Sequence, residues 1–273
     1  MSKFLYPQWV KWRLGVALRG SSLTAKVKLL FCATLKSIPQ YIGIKLPQQV
    51  GDGIERIADK LAVNTVVKVG TVKYVLVDSE SLDIISPLFE AWSPLFLRVR
   101  EGQVFLDVGS HIGKYSLLIA RTVKNSLVIS VEPNPINYQA LKRGIELNGL
   151  SNVIPINLAA WKEKCQKRLF IAKRAGGHTL KLRDEILRCY SGINIFVDAE
   201  SLDNVLQSFS ISKVDWVKID VEGVELEVLH GLKEILQQHP KLIVESNNPD
   251  TSDFLRQFGY VGSVLDKNNF LFW

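Results

Sequence analysis

Only three cysteines occur in the 273 residues, Cys32, Cys165 and Cys189, widely separated and without a CxxC pair. That excludes a disulfide framework and a cysteine zinc site, and it fits a reducing, cytoplasmic compartment. None of the four histidines stands at metal-site spacing, so zinc-centred chemistry has no basis in the sequence. No run of about 18 apolar residues is present to span a bilayer. The apolar "LGVAL" between Arg13 and Arg19 is too short for a signal-peptide core. Aspartate and glutamate are missing altogether from residues 1–50.

Those fifty residues hold eight basic side chains, Lys3, Lys11, Arg13, Arg19, Lys26, Lys28, Lys36 and Lys45, while the remainder of the chain is nearly balanced. They also carry the aromatics Phe4, Tyr6, Trp9, Trp12, Phe31 and Tyr41. Leu23, Val27, Leu30, Phe31, Thr34 and Ile38 recur at helical spacing, an amphipathic pattern flanked by Lys26 and Lys28. Three readings stay open: a helical cap packed on the body with a solvated lysine face, an interfacial helix on anionic membrane, or a nucleic-acid-binding face. Trp and Tyr among Lys and Arg suit a lipid headgroup boundary better than a phosphate groove, which makes peripheral membrane contact the stronger functional reading.

At 47% hydrophobic residues the chain can bury a large core. The pattern divides it into a basic helical arm (1–60, broken near Pro39 and Pro47), a β-hairpin with a connecting helix (61–103), and an α/β domain (104–273). In the hairpin, "NTVVKVGTVKYVLVDS" alternates around Gly70. From Val104 onward, strands are expected at 104–108, 127–132, 153–158, 214–220 and 241–245, with helices at 113–123, 135–148, 223–238 and 249–258. Near-continuous apolar strands separated by amphipathic helices predict a mainly parallel, doubly wound sheet. Two β-like runs within 167–199 interrupt the rhythm, and the C-terminal residues read as an antiparallel hairpin on the sheet edge.

In such a sheet ligands bind beyond the carboxyl ends of the strands. The first strand runs into Asp107, Gly109, Ser110, His111 and Gly113, a tight turn that lets a ligand approach backbone and a helix N-terminus. The second strand ends in Glu132, nineteen positions after Gly113, where an acid accepts hydrogen bonds from ribose hydroxyls. A dinucleotide fingerprint is excluded, because its second and third glycines are replaced by His111 and Lys114. Asp107 would repel a pyrophosphate but favours S-adenosylmethionine, whose ammonium and sulfonium are positive. The bland alternative is a glycine turn whose aspartate caps the helix. The fourth strand, "VDWVKIDVEGVELEVLHG", places Lys218 and Asp220 where charge is rarely buried unless paired. Glu222 and Glu225 follow at a helix start, which the macrodipole alone explains. Glu245 ends the fifth strand on the same rim.

The segments D-V-G-x-x-I-G (107–113), "VEPNP" (131–135), "LNGLSNV" (147–153), "SLD" (201–203), "KIDVEGVELEVLHG" (218–231) and "LIVES" (242–246) resemble the FkbM-type S-adenosylmethionine-dependent methyltransferases, in that family's order. The resemblance implies a class I methyltransferase fold and O-methylation of a hydroxyl on a sugar, glycan, glycolipid or polyketide-type acceptor. It carries Asp107, Gly109, Gly113 and Glu132 over as cofactor contacts, and Asp220, Glu222 and Glu225 as signature acids. Ser110-His111 departs from the family's usual Ala-Asn, with His111 expected at the methionine end of the cofactor. Asn247 and Asn248 stand where relatives often place a histidine after the fifth-strand glutamate.

Methyl transfer to an alcohol is an in-line displacement that needs a proton acceptor or a metal near the methyl. Asp220 is the expected acceptor or positioning group, supported by Glu222 and Glu245, with His178 as a second candidate base and Lys218 neutralising a buried acid. Three rim carboxylates could instead hold Mg²⁺; the base reading is preferred, because the helix start already accounts for Glu222 and Glu225. A nucleic-acid methyltransferase is disfavoured, since the fourth strand ends in "IDVEG" rather than N/D-P-P-Y/F. A cofactor-binding protein without catalysis is the remaining alternative. Oligomeric state is not legible.

Overall fold

The computed structural model describes residues 6–42, 47–182 and 184–273, with backbone alone for 6–7, 38–42, 175 and 184–186. Lys3, Phe4 and Lys45, and the side chains of Tyr6, Ile38 and Tyr41, therefore lie outside the described residues. The N-terminal region forms α1 (Tyr6–Ala17), α2 (Leu23–Ile42) and α3 (Gln48–Ala62), followed by the hairpin β1 (Val66–Val69) and β2 (Val72–Val75) and the short α4 (Ser81–Ile84) and α5 (Ser93–Phe96). Next come β3 (Val104–Val108), α6 (Lys114–Thr122), β4 (Leu127–Val131), α7 (Pro135–Asn148) and β5 (Val153–Ile156). An inserted group follows, β6 (Ala159–Ala160), β7 (Cys165–Ala172) and β8 (Tyr190–Glu200). The chain closes with α8 (Leu202–Ser208), β9 (Trp216–Ile219), α9 (Glu225–His230), α10 (Lys233–Leu236), β10 (Lys241–Glu245), α11 (Pro249–Gln257), β11 (Gly262–Val264) and β12 (Asn269–Phe272).

The central sheet has the order β11-β12-β10-β9-β3-β4-β5, parallel from β10 to β5 and antiparallel at β12 and β11. This is the expected doubly wound sheet with its C-terminal hairpin. Alternate strand residues face opposite layers. Leu106 and Val108 join Ile129, Val217, Val228 and Leu255 on one side, while Phe105, Val128, Trp216 and Ile243 pack with Tyr115 and Ile119 on the other. With both faces covered, the strands must be apolar throughout, as their sequence is.

Local chemistry explains the helix ends. Asn134 and Asn248 cap α7 and α11 by accepting backbone N–H bonds, and each is followed by a proline at the first helical position. The expected single helix over 223–238 is instead two, α9 and α10. A β-carbon at Gly231 would lie 2.0 Å from the Trp161 carbonyl, so the backbone is pressed against its neighbour there. Asp203 then caps the new helix start, accepting from the Glu234 and Ile235 N–H groups. That gives the "SLD" segment a structural task.

The arm departs further from its reading. The expected break near Pro47 separates α2 from α3, but another falls at Gly20–Ser22, while Pro39 lies inside α2. Leu23, Val27, Leu30 and Phe31 of the amphipathic stripe are exposed, and Ala25, Leu29, Cys32 and Ala33 are the buried face of α2. Arg13 makes paired 2.9 Å bonds to Asp83, and Lys36 bonds both Asp83 and the Ser79 carbonyl. Val16, Leu29 and Ala58 share one apolar cluster with the hairpin and with Ile112, Leu117 and Leu141. The arm is thus a cap on the body. No helix among the described residues is long and apolar enough to cross a membrane.

Candidate active site

The turn after β3 is drawn onto β4 by two bonds, Gly109 and Ser110 N–H both donating to the Val131 carbonyl at 2.9 and 3.0 Å. Gly109 has φ +80°, and a β-carbon there would lie 1.8 Å from the Asp220 carbonyl oxygen. The glycine turn therefore touches the end of β9 directly, which is why no other residue fits. His111 follows at φ 53°, and its N–H donates to Glu132 at 2.8 Å. Glu132 also accepts from Asn134 N–H at 2.9 Å and from the Asn137 amide at 3.5 Å. One of the roughly four acceptor positions of a carboxylate is left for a ligand hydroxyl. Burial pushes its carboxyl up to about 7, against the pull of those donors.

Asp107 is buried behind the turn. It accepts both the backbone N–H of Ser116, at 3.1 Å, and the Ser116 hydroxyl, satisfying a donor in the first turn of α6. Burial raises its carboxyl to about 6, with Lys218 and Ser116 opposing. Both bonds fall on Oδ2, so Asp107 braces the helix through one oxygen, and no described residue bonds Oδ1.

At the other end of the crevice, Lys218 is buried with its ammonium 2.8 Å from Asp220 Oδ2 and 3.7 Å from Glu90 Oε1. Burial pulls Lys218 down, but Asp220 and Glu90 outweigh it and hold it well above the usual lysine range. No described residue bonds Asp220 Oδ1. Glu245, half-buried, is pushed to about 7 by burial and by Asp220. Glu222 reaches solvent at the rim, yet the surrounding protein together with Asp220, Glu245 and Glu225 raises it to about 8. Glu225 is buried and accepts from Gly223 N–H at 2.6 Å, so it braces the loop rather than the crevice.

Glu222 sits at φ 55° and Glu90 at φ 51°, beside His111 at 53°. A non-glycine residue in this region costs about 1 kcal/mol or more, and such strain gathers at functional sites. Thr179 holds the Glu222 turn through a 2.8 Å bond from its hydroxyl to the Glu222 carbonyl. Thr179 belongs to the segment between β7 and β8, which supplies Gly176, His178 and Leu180 to the crevice wall beside Leu169 of β7.

Gly109, His111 and Glu132, with Asp220, Glu222 and Glu245, all line this one crevice; Asp107, Ser110 and Gly113 stand behind it. His178 lines it too, its Nδ1 accepting from Ala172 N–H at 3.1 Å, and burial pushes its imidazole down to about 4. Asn248 caps α11 and Asn247 lies on a different surface, so neither replaces the family's histidine within the crevice. Among the described residues, the carboxylates close enough to share an ion are Glu90, Asp220 and Glu245, with ligand atoms within 4.8 Å, rather than the expected trio with Glu222. Glu90 escaped the sequence reading. Its only signal was a lone carboxylate inside the apolar run "SPLFEAW".

Among known proteins, the chain is 26% identical over 144 residues to Methyltransferase 1 of Beauveria bassiana, an alignment covering 47% of this chain and 58% of that one. It is 30% identical over 151 residues to the hexuronic acid methyltransferase AglP of Haloferax volcanii, covering 55% and 59%. The chain thus spans less than two thirds of the length of these relatives. The model of the methyltransferase FkbM domain matches residues 107–272, which takes in the glycine turn, the paired carboxylates and the closing hairpin. The sheet order and this match agree, and the chain belongs to the FkbM methyltransferase family, with the class I methyltransferase fold.

Proposed function

We propose that the protein is an S-adenosylmethionine-dependent O-methyltransferase acting on an uncharged hydroxyl of a sugar, glycan or glycolipid-type acceptor. The observation that carries this reading is the make-up of the crevice. Glu132 and the glycine turn stand at one end, Asp220, Glu222 and Glu245 at the other, and among the described residues no lysine or arginine lines it. The residues fit the cofactor: Ser110 Oγ and both ring nitrogens of His111 are buried without partners beside a turn that only glycine can make. Gly109, His111 and Glu132 would hold it, and when bound it supplies an electrophilic methyl on a positive sulfur.

Asp220 takes the acceptor proton through Oδ1 while Lys218 anchors Oδ2. Glu245 and Glu222, raised towards neutrality, can donate to the acceptor's oxygens rather than only compete as anions. Among the described residues, an acceptor bearing carboxylate or phosphate would meet these acids without a lining cation to compensate, which is unfavourable. The hexuronic acid named for the archaeal relative supports the sugar class but not its acidic group.

The test is twofold. Calorimetry with S-adenosylhomocysteine should show binding that Glu132→Ala weakens. Release of S-adenosylhomocysteine should then follow addition of S-adenosylmethionine with neutral glycan or lipid-linked sugar extracts. Turnover on RNA alone, or binding without turnover on any extract, would replace the proposal with one of its alternatives. Rates unchanged by EDTA would dismiss Mg²⁺ at Glu90, Asp220 and Glu245.

A further inference from the structure

We propose that the outer face of α1 and α2 docks on an anionic lipid surface. Helix α2 is packed in the reverse of the usual sense. Its small residues Ala25, Cys32 and Ala33, with Leu29, face the body, while Leu23 (79% exposed), Val27, Leu30 and Phe31 (60%) face out. Helix α1, packed beside it, adds the exposed Leu14, and the turn that joins the two adds Leu18 (74%). Large apolar side chains gathered on neighbouring helices are uncommon on a free surface and mark an interaction site.

Charge selects the partner. Lys11, Lys26 and Lys28 on the same two helices and Arg19 in the turn between them are exposed, and none is in an ion pair among the described residues. Arg13 and Lys36, by contrast, are tied to Asp83 and belong to the fold. With no acid anywhere in residues 1–50, a second copy of this face would meet like charge and be repelled. A phosphate groove would leave the leucines and Phe31 without a place. A leaflet bearing anionic headgroups takes both at once, apolar side chains into the acyl boundary and ammonium groups at the phosphates.

The experiment is flotation of the full chain with vesicles of phosphatidylcholine alone and of phosphatidylcholine with about one third phosphatidylglycerol. Binding is expected to the mixed vesicles and to fall with added salt. Phe31→Ser should weaken it about tenfold or more, as expected for one large apolar side chain removed from a lipid boundary. Lys26→Glu should weaken it at least fivefold, the contribution of about one basic residue near the surface. Both positions are exposed, so melting temperature and S-adenosylhomocysteine affinity should stay at wild-type values and separate lost docking from lost folding. No binding to the anionic vesicles, or binding that survives Phe31→Ser and Leu23→Ser together, overturns the proposal. So does a wild-type dimer that these substitutions turn into a monomer.

Discussion

The two ends of the crevice treat their carboxylates in opposite ways. At the glycine-turn end, Asp107 and Glu132 are met by N–H and O–H donors from Ser116, His111, Asn134 and Asn137. At the β9 and β10 end, Asp220, Glu222 and Glu245 crowd one another, with Lys218 bonded to Asp220 and Lys114 3.7 Å from the neighbouring Glu90. Donor-held acids brace structure and leave only their remaining lone pairs, on Asp107 Oδ1 and one position of Glu132, for a ligand. Crowded acids met by few N–H and O–H donors are suited to exchange protons, the capacity that the proposed methylation of a hydroxyl requires. On the proposed function, the two groups divide into binding and chemistry through the donors that tertiary packing brings to them.

Substitutions can break that division, and the largest effect is expected at Asp220. Asp220→Asn should lower kcat by about a hundredfold to ten-thousandfold, the range for losing a general base. S-adenosylhomocysteine affinity, set at the other end, should change by less than about twofold; calorimetry beside turnover separates the two. A variant that loses affinity instead would show that the ends are not distinct.

Next in size is Lys218→Met. It strands Asp220 without its counter-charge, Glu90 keeping Lys114 at 3.7 Å, and breaking a buried pair in this way costs about 3–5 kcal/mol. The urea midpoint should drop accordingly, with part of the loss recovered by adding Asp220→Asn.

Asp107→Ala sharpens the comparison from the donor-held end. It leaves the Ser116 N–H and hydroxyl without their acceptor, at about 1–3 kcal/mol. Asp107→Asn retains an acceptor oxygen and should restore most of the stability. If affinity for the cofactor product falls in both variants while stability recovers in the second, Asp107 meets the ligand's positive charge after all.

The smallest effect concerns pH. Glu222 and Glu245 have folded values near 8 and 7 against an ordinary 4.5, so between those values the folded state binds more protons than the unfolded one. Stability must then fall as pH rises from about 4.5 to about 8, and Asp107 and Glu132 act in the same direction at slightly lower pH. Glu222→Gln removes one contributor and should raise the melting temperature at about pH 9 while leaving it unchanged near pH 5. Because Glu222 is exposed at the rim, solvent screening keeps this shift modest.

Legibility in the sequence followed the range of the interactions. The strand positions, the C-terminal hairpin and the glycine turn were readable because apolar period and glycine placement are local signals. So were Asp220, Glu245 and Glu132, whose places follow from strand ends. Glu90 was not readable, because it reaches the site from a connecting segment 130 positions before Asp220 in the chain. Nor was the reversed packing of α2. Its stripe of large residues was the stronger signal by hydrophobicity, yet Ala25, Cys32 and Ala33 won the contact because small side chains let helices approach closely. The break at Gly231 depended on the Trp161 carbonyl, a neighbour visible only in three dimensions.

Sequence alone therefore determined the alternation of strand and helix, the family and the rim on which the acids stand, since each rests on residues within a turn or two of one another. Tertiary structure decided which of those acids are held by N–H and O–H donors, which face of α2 meets solvent and which distant glutamate joins the site. Those outcomes depend on what lies across a few ångströms of space, and chain order does not encode that distance locally.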